Sequence, residues 1–125
     1  MTGQEVLEQA LQLLHYTDGE GQPENQFRGD TEQQGLAAVN QVYADVWFVE
    51  KGEAFTPLMR LSEPLLLSDK ACREVMPLGV AMWIAQAEGD AAEQAVLADA
   101  YSQKRSQCVS PKRRRQDVIP WGESV

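Results

Sequence analysis

A mainly α fold is what this chain predicts: a four-helix bundle-like domain over residues 1–107, with a short extended or β-hairpin segment near 55–67, then an extended basic tail over 108–125. Three observations carry that expectation. Apolar residues recur at steps of three and four in four separate windows, the period of one helix face. Ser, Thr or Asp opens each window, and a glycine follows two of them. The third window, Asp69 to Asp90, is apolar on nearly every side, so it needs neighbours all round and forms the centre.

Thr2 and Glu5 have the spacing of a capping box, a hydroxyl for the Glu5 amide and a carboxylate to reach back. Val6, Leu7, Ala10, Leu11 and Leu14 then describe one stripe, so the first helix runs to about His15. Residues 16–30 hold three glycines and a proline among polar side chains, a loop whose length suggests function or mobility. Asp30 can cap a second helix from Thr31 to about Glu50, with Leu36, Val39, Tyr43, Val46 and Trp47 as its buried stripe. Val42, Phe48 and Val49 widen the apolar surface beyond one core face. Phe48 and Val49 are therefore candidates to face another subunit. Lys51-Gly52-Glu53 ends the helix.

Pro57 and Pro64 forbid a continuous helix over Phe55–Ser68, yet Leu58, Met59, Leu61, Leu65, Leu66 and Leu67 are too apolar for a free loop. Short extended pieces, a hairpin or two edge strands, fit that composition. In the central window Cys72, Val75, Met76, Gly79, Val80, Trp83 and Ala87 mark one face; Leu78, Met82, Ile84 and Ala85 fill much of the other. Pro77 has no amide hydrogen and its ring meets the Arg73 carbonyl, so a kink or restart near Met76 is expected. Gly79 would let a neighbouring backbone approach. Asp90 and Glu93 repeat the cap spacing and open a fourth helix to about Gln107, with Ala95, Leu97, Ala98 and Tyr101 as a thin face. Pro111, Pro120, Gly122 and the Lys112-Arg113-Arg114-Arg115 run make the remainder an extended tail. Val118, Ile119 and Trp121 give that tail an apolar part, which should dock on its own body or on a neighbour.

At 125 residues this is one domain with a modest core, and 43% hydrophobic residues are enough to fold it. The formal charge of -8 is unevenly spread. Residues 1–103 hold five of the eleven Lys and Arg and seventeen of the nineteen Asp and Glu, a net -12 against +4 for residues 104–125. Cys72 and Cys108 stand far apart with a single histidine, which argues against a zinc framework and a disulfide scaffold. Cys72 reads as a small buried hydrophobe. No signal peptide is expected, because Met1 leads into a capping sequence and not a basic then apolar run. The central window is too short and too interrupted to span a bilayer, so a cytoplasmic protein is expected.

No enzymatic pattern emerges. A nucleophile–base pair would need His15, which sits at a helix end as a polar terminus. Asp18-Gly19-Glu20-Gly21 places two carboxylates where a phosphate would be repelled, and Asp18, Glu20 and Glu24 resemble a calcium loop only loosely. The expectation is a protein with no catalytic residue, cofactor, metal or small-molecule substrate. For the basic run, with Lys104 and Arg105 upstream, three readings stay open: a solvated tail, a clasp on the acidic surface of an adjacent copy, and non-specific phosphate contact.

The order and texture of several stretches carry a family resemblance. They are Glu5-Val6-Leu7-Glu8-Gln9-Ala10-Leu11-Gln12-Leu13-Leu14, Ala37-Ala38-Val39-Asn40-Gln41-Val42-Tyr43-Ala44-Asp45-Val46-Trp47, Leu65-Leu66-Leu67-Ser68-Asp69, Val75-Met76-Pro77-Leu78-Gly79-Val80-Ala81, Glu88-Gly89-Asp90 and Tyr101-Ser102-Gln103-Lys104. In these the chain resembles the small helical head–tail connector (adaptor) proteins of tailed bacteriophages and prophages, over most of residues 1–105. The loop at 16–30 and the tail depart from the pattern. The resemblance implies a non-enzymatic protein that joins copies of itself into a ring between portal and tail proteins, around a channel for passing DNA. It would be made in the host cytoplasm and end in the virion. Lys112, Arg113, Arg114, Arg115, Val118, Ile119, Trp121, Phe48 and Val49 are the candidate contacts between subunits or with a partner. The alternative class is a small nucleic-acid-binding or packaging accessory protein that uses the basic run.

Overall fold

The helices form where the spacing places them: α1 Gly3–Leu13, α2 Thr31–Glu50, α3 Met76–Ala87 and α4 Ala91–Ser106. The computed structural model describes residues 1–14 and 31–108. His15, the loop at 16–30, the Asp30 cap and the tail beyond 108 lie outside the described residues. At the start of α1 the Thr2 hydroxyl accepts from the Glu5 amide at 3.2 Å, and the Glu5 carboxylate accepts from the Thr2 amide at 2.9 Å. That is the capping box. At the end of α3 Gly89 takes φ +78°, and the Asp90 amide donates back to the Ala85 carbonyl at 2.9 Å. The Asp90 side chain accepts in turn from the Glu93 amide at 3.1 Å and starts α4. Three residues thus close one helix and open its antiparallel neighbour.

Pro77 shapes the central element. Ser68 caps its start, the Oγ accepting from the Ala71 amide at 3.1 Å. Over Ala71–Val75 the backbone is a π-helical turn, in which the Met76 amide donates to the carbonyl of Ala71, five residues back. A wider turn is what a ring crowding the preceding carbonyls calls for. The α3 helix resumes at Met76 with Pro77 in its first turn, where a missing N–H leaves no bond unmade. The expected restart is therefore a π-turn, not a break.

The α3 helix touches α1, α2 and α4, and Val75, Met76, Val80 and Ile84 are fully buried among Val6, Leu7, Val39, Tyr43 and Val46. Gly79 sits where three helices meet. A Cβ there would stand 2.5 Å from Val42 Cγ1 and 2.7 Å from Tyr101 Cε1, so it is side chains, not a neighbouring backbone, that use the space. Two expected core positions are corrected. Trp83 is 39% exposed and Ala87 is exposed, because the facing half of α2 offers only Ala37 and Ala38 and does not reach them. On α4, Ala95 is exposed, while Leu97 and Tyr101 are buried.

Residues 51–68 form no hairpin. They contribute one antiparallel bridge, Thr2 with Pro64, and are held by groups on α1 and α2. Asn40 reads the Leu58 backbone on both sides: its Nδ2 donates to the Leu58 carbonyl at 2.9 Å, and its Oδ1 accepts from the Leu58 amide at 2.8 Å. The Tyr43 hydroxyl accepts from the Leu66 amide at 3.0 Å, and the Glu50 carboxylate from the Ser68 amide at 2.9 Å. Leu65 and Gln4 add backbone bonds to Met1 and Leu61 at 2.8 Å. Side chains of α2 thus take the place of a partner strand, because buried peptide groups need a partner of some kind. Leu58, Leu61 and Leu65 fill the space beneath, and Phe55 packs edge-on against Tyr43 at 5.1 Å between centroids.

Both cysteines are free and buried, Cys108 included. Burial pushes both thiols, and the phenol of Tyr101, above their ordinary values. The folded state therefore keeps protons that the unfolded chain releases, and stability present below pH 9.0 is lost as pH rises beyond it. Denaturant melts should accordingly show a falling midpoint between about pH 9 and 11, and that fall should be smaller in Cys72→Ala/Cys108→Ala. A flat midpoint across that window would contradict burial of these groups.

Candidate contact surface

An apolar concavity opens to solvent between the first half of α2 and the last turns of α3. It measures about 320 Å³ and is lined by Ala37, Ala38, Trp83, Ile84 and Ala87, with Gln34 and Glu88 supplying its polar groups. Its cause is local. Small side chains on α2 face a large one on α3, and the helices cannot close around Trp83.

Exposed along α2 from that groove lie Gln34, Ala37, Gln41 and Phe48, with half-buried Ala44 among them, at steps of three and four. This stripe carries no charge. Phe48, expected to face another subunit, is 54% exposed and closes it. Val49, the other candidate on α2, is only 5% exposed. The helix is covered over more than one face, so apolar width on α2 does not translate into free surface. The candidates Lys112, Arg113, Arg114, Arg115, Val118, Ile119 and Trp121 lie outside the described residues.

Cations are unevenly placed along the body. The elements flanking the groove bear Glu32, Glu88, Asp90 and Glu93, and no Lys or Arg occurs in residues 31–50 or 74–103. Lys51, Lys70, Arg73, Lys104 and Arg105 stand toward the opposite end, where α2 and α4 finish and the helix leading into α3 begins, together with the carboxylates of Asp45, Glu50, Asp69 and Glu74. Arg60 is the exception, on the segment that covers the other side of α2. The twelve residue steps of α2 from Ala38 to Glu50 put roughly 18 Å between the two ends.

At the end where α2 and α4 finish the helices are tied together. Arg105 forks onto Asp45, Nε donating at 2.7 Å and Nη2 at 2.9 Å, and the Tyr101 hydroxyl donates to the same carboxylate at 2.6 Å. Lys70 and Lys104 both reach Glu74, at 3.0 and 3.3 Å, and hold its carboxyl below the usual range. Lys104 and Arg105, upstream of the basic run, are therefore engaged within the body. Exposed pairs of this kind add little stability but fix geometry.

Among the described residues, no group of three His, Cys, Asp or Glu side chains is placed to hold a metal ion, and no helix is long and apolar enough to cross a membrane. The groove and the placement of the cations escape a reading of sequence alone, since both depend on which helix ends lie together. No protein-family model, curated protein or solved structure matches this chain.

Proposed function

We propose that the protein is a non-enzymatic structural component of a phage or prophage particle, a four-helix bundle-like head–tail connector that assembles into a ring between portal and tail proteins. The observation that carries this reading is an uncovered apolar groove at the end of the helical body opposite to the one from which the chain continues. A ring needs two different patches on each copy, related head to tail. Here an acid-flanked apolar groove stands at one end, and the chain leaves α4 at the other, about 18 Å away. The sequence-level resemblance to connectors supports the same role. On this reading the partners are further copies, portal or tail proteins and passing DNA, with no cofactor or substrate. The sites of residence are the host cytoplasm and then the virion.

The test is the state of association of the purified full chain, alone and with a portal protein from the same genome, by light scattering and electron microscopy. Closed rings of uniform size are expected in at least one of the two conditions. A strict monomer in both, up to millimolar concentration on the order of a packed assembly, would overturn the proposal. The second reading, a nucleic-acid-binding accessory protein, is favoured by Lys112–Arg115 alone. Duplex DNA binding that falls steeply with salt and disappears when these four residues are changed to Ala would select it.

A further inference from the structure

Three features of the described body point at the same occupant for the groove. It is apolar around an exposed indole, its flanks are acidic, and it lies at the end away from the point where the chain leaves α4. The final residues of the sequence match those demands in reverse: four consecutive cations, Lys112 to Arg115, then Val118, Ile119 and Trp121 within six residues. Opposite potentials bring such surfaces together and fix their orientation, while a central aromatic pair excluded from water supplies most of the hold.

We infer that the C-terminal segment of one copy, with Val118, Ile119 and Trp121 as anchors, seats in the α2–α3 groove around Trp83 of the next copy. Lys112–Arg115 lie along its Glu32, Glu88, Asp90 and Glu93 flank. This rests on the ring reading above and names the contact that builds the ring. Reach permits it. Cys108 is fixed in the core where α4 finishes, and the ten residues from there to Val118 span at most about 33–36 Å, long enough to leave one body for the next. A tail leaving one end and a groove opening at the other make a head-to-tail contact, which repeats from copy to copy. The uncharged stripe from Gln34 to Phe48 continues the groove along α2 and leaves that side of the helix free of charge against a neighbour.

Head-to-tail contacts have a signature that face-to-face contacts lack. A groove variant, Ala37→Arg, keeps a working tail; Ala37 is exposed, so the fold should tolerate it, and the new cation repels the basic run. A tail variant, with Lys112, Arg113, Arg114 and Arg115 changed to Glu and Trp121→Ala, keeps a working groove. Sedimentation velocity on full-length chains should show wild-type assembling, each variant alone weakened at least about tenfold, and their equimolar mixture stopping at a one-to-one dimer. Trp83→Ser serves as a second groove variant, and thermal melts confirm that each variant is folded. Groove variants that assemble like wild-type overturn this inference while leaving the ring built by another surface. Variants that each fail alone and do not pair when mixed overturn it too. A wild-type chain monomeric throughout, alone and with portal, overturns both the inference and the reading beneath it.

Discussion

Gly79→Ala should destabilise the fold by about 2 kcal/mol, although alanine is ordinarily the better helix residue by about 1 kcal/mol. The added methyl would lie 2.5 Å from Val42 Cγ1 and 2.7 Å from the Tyr101 ring. Neither neighbour yields easily. Valine in a helix has essentially one side-chain rotamer, and the Tyr101 ring is pinned by its 2.6 Å bond to Asp45. Overpacking of this kind costs about 1–3 kcal/mol, and more when two stiff groups are involved. Thermal unfolding should show a midpoint lowered by roughly 5–10 °C for a domain of this size. Adding Val42→Ala should recover part of the loss, so that the double variant is less destabilised than the two single losses together. Gly35→Ala is the internal comparison: its one close approach is to Leu7 Cδ2, the end of a side chain, with Leu61 Cδ1 at an ordinary 3.6 Å, and the change should be within about 1 kcal/mol of neutral. A Gly79→Ala protein as stable as wild-type would show that the three helices do not meet as closely as described.

Asn40→Ala should cost a similar amount or more, about 2–4 kcal/mol, through a different mechanism. It strips the amide and the carbonyl of Leu58 of their partners in one step, and each buried group left unmatched costs about 1–3 kcal/mol. Leu58 is only 6% exposed, so water does not readily replace the amide. Chemical denaturation gives the loss, and hydrogen exchange at the Leu58 amide should quicken well beyond the change in global stability. Tyr43→Phe should be milder, since the Leu66 amide it releases belongs to an exposed residue that can turn to solvent. An Asn40→Ala protein with unchanged exchange at Leu58 would mean that the 51–68 segment is held mainly by its leucines.

These two residues also show how far the sequence could be read. Helix starts and stops were legible because their causes are local: Thr2 with Glu5, Gly89 with Asp90, Asp90 with Glu93 and Pro77 against Arg73 all lie within a turn of one another. The hold on residues 51–68 was not. Asn40 and Leu58 are eighteen positions apart, and no local pattern marks an asparagine as a substitute for a β-strand. The exposure of Trp83 and Val49 was illegible for a related reason. Periodicity says which side chains share a face, but not how far a neighbour covers it; α2 covers Trp83 poorly with Ala37 and Ala38, while Val49 is only 5% exposed. The ion pairs between elements were hidden as well, because Lys104 meets Glu74 and Arg105 meets Asp45 only once helix directions are known.

Cys108, sealed into the core two residues after α4 ends, has a mechanical consequence for whatever follows it. A strand pulled at an exposed helix end peels that helix turn by turn. Here tension on residues beyond 108 would first have to draw the Cys108 side chain out of the core, beside the turn where Arg105 and Tyr101 meet Asp45. The end of α4 is thus held by more than its own helix bonds.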